Sequence, residues 1–310
     1  MRAVIVPSPR TLEIGEVPEP VPGEGEVLVD VVAAGVNRAD LAQAAGHYPP
    51  PPGASPVLGL EVAGRRRDTG EEVVALLAGG GYAEAVAVPE EHLLPLPDGM
   101  ATTTAAGLIE VAATVVSNLV IEAGLQKGET VLVHGATGGI GTFAVQFARA
   151  LGARVLAVVG SDDAVGAVTE LGADRAWNRR TTDIPAVVTA EGGADVILDV
   201  VGGPALEGNV RMLREFGRLV IIGTIGGGTG TLNVGVLMSR RARVIGTTLR
   251  SRGRADKAVI LRRTHELVWP MLASGSVTVP VHEVVPLSEA SRAHSLLQAG
   301  GHFGKVILAV

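Results

Sequence analysis

The sequence predicts an α/β chain of two domains, one of them a doubly wound parallel sheet. Three observations carry this. The middle of the chain alternates continuous apolar strands with amphipathic helical patterns, which reads as a parallel sheet covered on both faces. A glycine turn, "HGATGGIG" (134–141), sits inside one strand–helix–strand unit. The first ninety residues are Val-rich, Pro-rich and strand-like, with little helical periodicity.

Size and composition agree. A length of 310 residues is a soft prior for two domains, and 47% apolar against 19% charged residues can build packed cores. Aromatics make up only 3%, so Ala and Val must fill much of the interior. The net charge of -6 argues against a nucleic-acid partner. The run "GRRRDTG" (64–70) has an acid beside its arginines and reads as a solvated turn. No cysteine occurs, which removes disulfides, thiol nucleophiles and cysteine-ligated zinc together. The N-terminal ten residues lack a secretory apolar core and no 18-residue apolar run exists, so no membrane partner and a cytoplasmic setting are expected.

In chain order, "EVLVDVVAAGV" (26–36) and "YAEAVAVP" (82–89) are strands. Between them "HYPPPPGASP" (47–56) is a rigid extended loop, since four consecutive prolines fit neither helix nor central strand. "ADLAQAAG" is a short helix, with Asp40 placed to cap it. The middle gives strands at 130–135, 154–159, 195–201, 217–223 and 243–248, and helices near 140–151, 162–171 and 204–214. A long helix over 255–275 is expected to stop near Pro270. "SEASRAHSLLQAG" follows, with Ser288 as N-cap and Gly300 beyond its end, and "KVILAV" (305–310) is the last strand.

The glycine turn has the spacing Gly135-x-x-Gly138-Gly139-x-Gly141. Glycines there let a pyrophosphate approach the backbone, and the amides and dipole of the following helix face the phosphates. A dinucleotide is therefore the expected ligand, held by Gly138, Gly139, Ile140 and Gly141. An acid at the end of the second strand would select NAD, and Asp162 and Asp163 lie at about that distance. They fall, however, in the first turn of the next helix, where the helix dipole accounts for them. Gly160 and Ser161 stand at the strand end, leaving room for a 2′-phosphate, and Arg179 and Arg180 can supply charge. NADPH is expected, with NADH as the alternative.

The stretches "NRADL" and "GHYPPPPGAS", then "GGYAEAVAVPEEHLLPLPDG", the glycine turn, "ILDVVGG", "GRLVIIGTIGGG", "TTLRSR" and "GKVILAV" resemble the zinc-free, zeta-crystallin-like quinone oxidoreductases of the medium-chain dehydrogenase/reductase superfamily, nearest to the tumour-suppressor-inducible group. The resemblance covers nearly the whole chain. It implies a GroES-like β-barrel domain from residues 1–112 and 252–310 and a Rossmann domain from 113–251, with a cleft between them. It also implies NADPH as hydride donor, a small-molecule quinone as acceptor and a homodimer. "TLNVGVLMSRRARVIGTTLRS" is a candidate edge strand for that dimer. Where zinc-dependent relatives carry a metal-binding Cys and His, this chain has Asn37 and Leu60, so no metal is expected.

The resemblance further implies that Asn37 and Thr114 lie near the nicotinamide, that Gly223 and Thr224 open a loop over it, and that Phe303 and Lys305 approach from the tail. Tyr48 resembles the family tyrosine beside the acceptor, with Asp40 nearby. Glu61 is expected to bond Asn37 or an arginine. Three departures stand out: the hairpin after "GLEVAG" is clipped, the lysine that follows Gly-Ser in many members is missing, and Arg179 replaces a tyrosine. A reductase of enone double bonds and a non-catalytic redox sensor are the alternative readings.

Overall fold

The computed structural model describes all residues from Met1 to Val310. The chain forms two compact units. One comprises Met1–Ala113, Leu249–Ala273 and Val279–Val310; the other comprises Thr114–Thr248 and Ser274–Thr278. No helix is long and apolar enough to cross a membrane.

The first unit opens with the hairpin β1 (Arg2–Ser8) and β2 (Thr11–Glu16), then β3 (Glu26–Gly35), α1 (Arg38–Ala44), β4 (Glu61–Arg66), β5 (Glu72–Leu76), β6 (Ala85–Pro89), β7 (Leu93–Pro95), α2 (Thr102–Ala105) and α3 (Ile109–Val115). The chain then builds the second unit from β8 (Thr130–His134), α4 (Gly139–Ala150), β9 (Arg154–Val159), α5 (Asp163–Leu171), β10 (Arg175–Asn178), α6 (Ile184–Ala190), β11 (Ala194–Asp199), α7 (Leu206–Met212), β12 (Leu213–Ile221), α8 (Val234–Ser239) and β13 (Arg243–Gly246). It returns to the first with α9 (Arg254–Ala273), β14 (Val281–Pro286), α10 (Ala290–Ala299) and β15 (Lys305–Ala309).

In the first unit seven strands run in the order β14-β15-β3-β4-β5-β7, with β6 also paired to β3. Strand β15 pairs antiparallel with β3, joining the two ends of the chain. Along β3, Val29 and Val31 are buried and Asp30 and Val32 exposed, the period of two expected of a strand with one covered face. The clipped hairpin is regular: β4 and β5 pair from Glu61↔Leu76 to Arg65↔Glu72, and the turn closes through Gly70 at φ +76°. Its arginines are all paired with acids, Arg65 with Glu72, Arg66 with Asp68 and Glu90, and Arg67 with Glu19 and Asp30. This is the solvated turn that the sequence suggested.

The second unit is a six-stranded sheet, all parallel, in the order β10-β9-β8-β11-β12-β13. Counted within the unit this is 3-2-1-4-5-6, the doubly wound arrangement, and its switch point lies between β8 and β11. Three of its elements are absent from the sequence reading, and one of them, α8, makes a helix of residues 234–239 inside the stretch expected as an edge strand, with Asn233 as its N-cap accepting from the Val236 N–H. Strand β10 is four residues long, too short to show a period. Helix α6 carries a legible start, Asp183 accepting from the Ala186 N–H with a proline in the first turn, but its short apolar run lacks periodicity.

Two helix boundaries differ from expectation. Helix α9 runs through Pro270 to Ala273. Pro270 and Glu266, whose carbonyl loses its donor, are both exposed, so water can satisfy that carbonyl. Helix α10 is capped by Glu289, because Leu287–Glu289 first forms a 3-10 turn that absorbs Ser288. Gly300 ends it at φ +72°.

The core of the first unit holds one polar chain. The Tyr82 hydroxyl donates to Asp40 Oδ2 at 3.1 Å and lies 3.3 Å from His294 Nε2, and all three residues are buried. A buried phenol needs such partners. Burial drives both ionisable ends toward their neutral forms. It raises Asp40 from 3.8 to about 6, against the pull of its hydrogen bonds and Lys305, and lowers His294 from 6.5 to about 4. As pH rises from about 4 to 6, the folded unit keeps a proton on Asp40 that the unfolded chain releases, so this contribution to stability falls. Over about pH 4 to 6.5 the unfolded chain protonates a histidine that the folded unit keeps neutral, so that contribution grows with pH. Each is worth about 3 kcal/mol and the two offset one another. Asp40→Asn should leave the histidine term, so that urea unfolding shows stability rising by roughly 3 kcal/mol across this window. His294→Gln should show the opposite slope. Flat profiles in both variants would refute the coupling.

Candidate active site

Strand β8 is buried along its length and delivers the chain to the glycine turn at the switch point. Gly135 has φ +65°, where only glycine is at ease. Gly138 is the N-cap of α4 and offers no side-chain cap to the first amides of the helix. A Cβ at Gly138 would meet nothing nearer than 3.7 Å, so the approach to these amides is open. Gly141 is closed instead: its Cβ would fall 2.2 Å from Gly135 O and 2.6 Å from Ala136 Cα, so the helix can sit on the turn only with glycine there. An uncapped helix start with an open approach and a tightly seated base fits a pyrophosphate. Beneath the turn His134 Nε2 is 2.8 Å from Asn209 Oδ1, and burial pushes this histidine toward its neutral form. Neither residue was singled out from the sequence.

Strand β9 ends at Val159, and a Cβ at Gly160 would meet nothing within 4 Å. Asp162 is the N-cap of α5, and its carboxylate accepts from Asn178 Nδ2 at 2.9 Å, while Asp163 is the first helical residue. The Arg179 N–H donates to Val159 O at 3.0 Å, which sets Arg179 beside Gly160 and Ser161, and both Ser161 and Arg179 are exposed. On the far side of the switch point, the loop that begins at Gly223 is pinned rather than free. Ile225 and Gly226 donate to Val200 O and Val201 O, and Thr224 packs against Gly202. Asp199, fully buried, holds the opposing turn by accepting from the Val201 and Gly202 amides. Thr114 is buried on α3, its carbonyl accepting from Asn118 Nδ2 at 2.7 Å, and Asn118 in turn accepts from Thr247.

In the first unit a buried polar network gathers Asn37, Glu61 and Lys305. Lys305 Nζ donates to Glu61 Oε1 at 2.7 Å, Asn37 Oδ1 at 2.7 Å and Val36 O at 3.1 Å. Asn37 Nδ2 donates to Glu61 Oε1 at 3.0 Å, and Glu61 Oε2 accepts from the Glu110 N–H at 3.0 Å. Two expectations are corrected here, and a third is narrowed. Lys305 is not a cofactor ligand: an ammonium has three N–H donors, and all three are engaged internally. Asp40 is not a substrate ligand: it is fully buried, with Oδ2 accepting from the Asn37 N–H and Tyr82, and Oδ1 from the Gly59 N–H. Asn37 keeps only part of its capacity: its amide points at Glu61 and the Gly35 carbonyl, leaving one lone pair on Oδ1. Glu61 bonds Asn37, as one of its two expected partners, and Lys305 instead of an arginine.

Tyr48 is half-buried in the proline loop, and burial raises its phenol above the ordinary value while Arg250 opposes that rise. Phe303 is half-buried just before Gly304, which turns the chain at φ +88°. Sequence reading missed Arg250 and Lys257, both buried, which line one narrow cavity with Leu60, Leu76, Leu77, Leu249 and Glu110. Burial, then Arg250, lowers the Lys257 ammonium to about 8. Nothing in sequence distinguishes either from a surface cation.

Comparison with known proteins gives a consistent result. The alcohol dehydrogenase GroES-like domain model matches residues 23–98, and the zinc-binding dehydrogenase model matches residues 139–263. The donor set does not fit zinc, since the chain has no cysteine and no group of three acids or histidines that could hold a metal. A quinone oxidoreductase of Lama guanicoe is 31% identical, with 99% of this chain and 97% of that protein covered. The quinone oxidoreductase of Thermus thermophilus, solved with and without NADPH, is 34% identical, covers both chains fully and has a TM-score of 0.89. The Escherichia coli quinone oxidoreductase, solved with NADPH, is 26% identical over 100% of this chain and 99% of that one, with a TM-score of 0.87. With its doubly wound sheet, its glycine turn and relatives alike over their whole length, the chain belongs to the zeta-crystallin-like quinone oxidoreductases of the medium-chain dehydrogenase/reductase superfamily.

Proposed function

We propose that this protein reduces quinones with NADPH and without a metal. The observation that carries the reading is the uncapped start of α4, open at Gly138 and seated through Gly141, at the switch point of the parallel sheet. Relatives solved with NADPH support the choice of nucleotide.

The amides of Gly139, Ile140 and Gly141 hold the pyrophosphate. Ser161 and Arg179 hold the 2′-phosphate, a role supported by their exposure beside the open Gly160 and by the tether that binds Asp162 to Asn178. When bound, the reduced nicotinamide supplies the hydride. Thr114 and the Gly223–Thr224 turn are the second unit's further candidates for nucleotide contacts, and Asn37 and Phe303 are those of the first unit. Tyr48 donates its hydroxyl hydrogen bond to the quinone oxygen that gains charge. A zinc-type Lewis acid is not needed for an acceptor that is already electrophilic. Strand β13, which pairs on one side only, and α8, with Val234 57% and Met238 71% exposed, support association of two copies through this edge. Sedimentation that reads a monomer at micromolar concentration would remove the dimer.

Loss of the reduced nicotinamide's absorbance with phenanthrenequinone as acceptor tests the activity. Turnover should be at least about tenfold better with NADPH than with NADH, the size of one charge-assisted contact. Turnover with neither cofactor would overturn the reading. Arg179→Ala should weaken NADPH binding by about tenfold and leave NADH binding unchanged, as measured by quenching of cofactor fluorescence. Equal losses for both cofactors would take the 2′-phosphate away from Arg179. Gly141→Ala should abolish binding of both, because its Cβ meets backbone at 2.2 Å and the helix start must move. Retained binding would show that the pyrophosphate lies elsewhere.

A further inference from the structure

Residues Pro49–Pro52 carry no backbone N–H. Within the loop the Ala54 N–H closes on Pro51 O at 3.0 Å, but four consecutive residues cannot donate, and Tyr48 O and Pro56 O on either side of the run take their donors from outside it. The structure provides one such device. Arg250 is only 6% exposed. Its Nη1 donates to Tyr48 O at 3.2 Å, its Nε to Ala78 O at 2.8 Å and its Nη2 to Gln43 Oε1 at 2.6 Å. Gln43 in turn donates through Nε2 to Pro56 O at 2.9 Å. One arginine–glutamine pair thus holds the loop on both sides of the proline run. The guanidinium carbon also lies 5.2 Å from the centroid of the Tyr48 ring.

We propose that Arg250 is a positioning residue of the acceptor site, acting through Tyr48: it fixes the backbone and ring of the tyrosine that meets the acceptor oxygen. The proposal rests on the role given to Tyr48 above. All the hydrogen-bond acceptors of Arg250 are neutral, so its charge is not cancelled by contact. The cation faces the phenol ring and strengthens the hydroxyl as a donor to an oxygen gaining negative charge. Burial of the charge is tolerable because three of its donors are engaged. Lysine cannot substitute, since a point ammonium cannot reach three acceptors set around a planar fork while stacking on a ring.

A double-mutant cycle tests this with phenanthrenequinone as acceptor, using Arg250→Lys, Tyr48→Phe and the pair. Arg250→Lys should lower kcat by about tenfold to a hundredfold, the effect of a misplaced catalytic group. NADPH affinity should be unchanged and unfolding should stay a single cooperative transition, with the melting temperature lowered by the same amount in the native and Tyr48→Phe backgrounds, which separates positioning from folding. In the Tyr48→Phe background the same substitution should change kcat less than about twofold, since the tyrosine hydroxyl through which it acts is gone. Gln43→Leu, which removes one anchor and leaves the charge, should give a smaller loss with the same dependence on Tyr48. Equal losses from Arg250→Lys in both backgrounds, or full activity in Arg250→Lys, would overturn the proposal. Full activity in Tyr48→Phe would instead end the acceptor role of Tyr48, and the proposal with it.

Discussion

The first unit is organised around the buried bond between Lys305 and Glu61. The two residues are 244 positions apart, and both are almost wholly buried. A charge pair taken out of water gains little unless every donor and acceptor finds a partner. Here each does, and the partners locate the surrounding chain: Val36 O and Asn37 Oδ1 at the entry to α1, and the Glu110 amide at the start of α3. The backbone makes room for it. A Cβ at Gly35 would fall 2.3 Å from Glu61 Oε1, and one at Gly107 would fall 3.1 Å from Lys305 Cβ. The last strand is therefore bound to the first long strand by a polar knot as well as by the β3–β15 ladder.

The second unit meets its polar demands differently. Its strands are nearly all buried apolar side chains, and its helices start on backbone or short side chains. The start of α4 stands open, because Gly138 offers the amides no side chain and a Cβ there would meet nothing nearer than 3.7 Å. What this leaves at the turn is a row of backbone donors, suited to a phosphate and indifferent to side-chain identity.

This contrast explains what could be read from the sequence. Most strands and helices of the second unit, the end of β9 at Val159 and the glycine turn each follow from their own local sequence, and local patterns report such elements well. The network around Lys305 depends on contacts between opposite ends of the chain. In sequence, Lys305 begins a strand like any edge lysine and Asp40 looks like a helix cap, which it partly is. Arg250 was visible only as a letter of a resemblance. Burial gives these charges their roles, and no local period records burial of a lone charged residue. The missed boundaries have the same origin: Pro270 is tolerated in α9 because that face meets water, and Ser288 loses its cap to a 3-10 turn packed at Leu287.

The distribution of unused hydrogen-bonding capacity then narrows where chemistry can occur. In the first unit every N–H of the Lys305 ammonium and every carboxylate oxygen of Glu61 and Asp40 has a partner within the unit. Asn37, with one lone pair left on Oδ1, is held by Asp40 and Lys305, and Tyr48 is held at its carbonyl by Arg250. A charge bonded at every polar atom is rigid because movement breaks a bond, and a group with one free position on a rigid mount is what orientation of a small molecule requires. The buried charges of this unit are in that sense the mount, and the neutral groups beside them are the working surface.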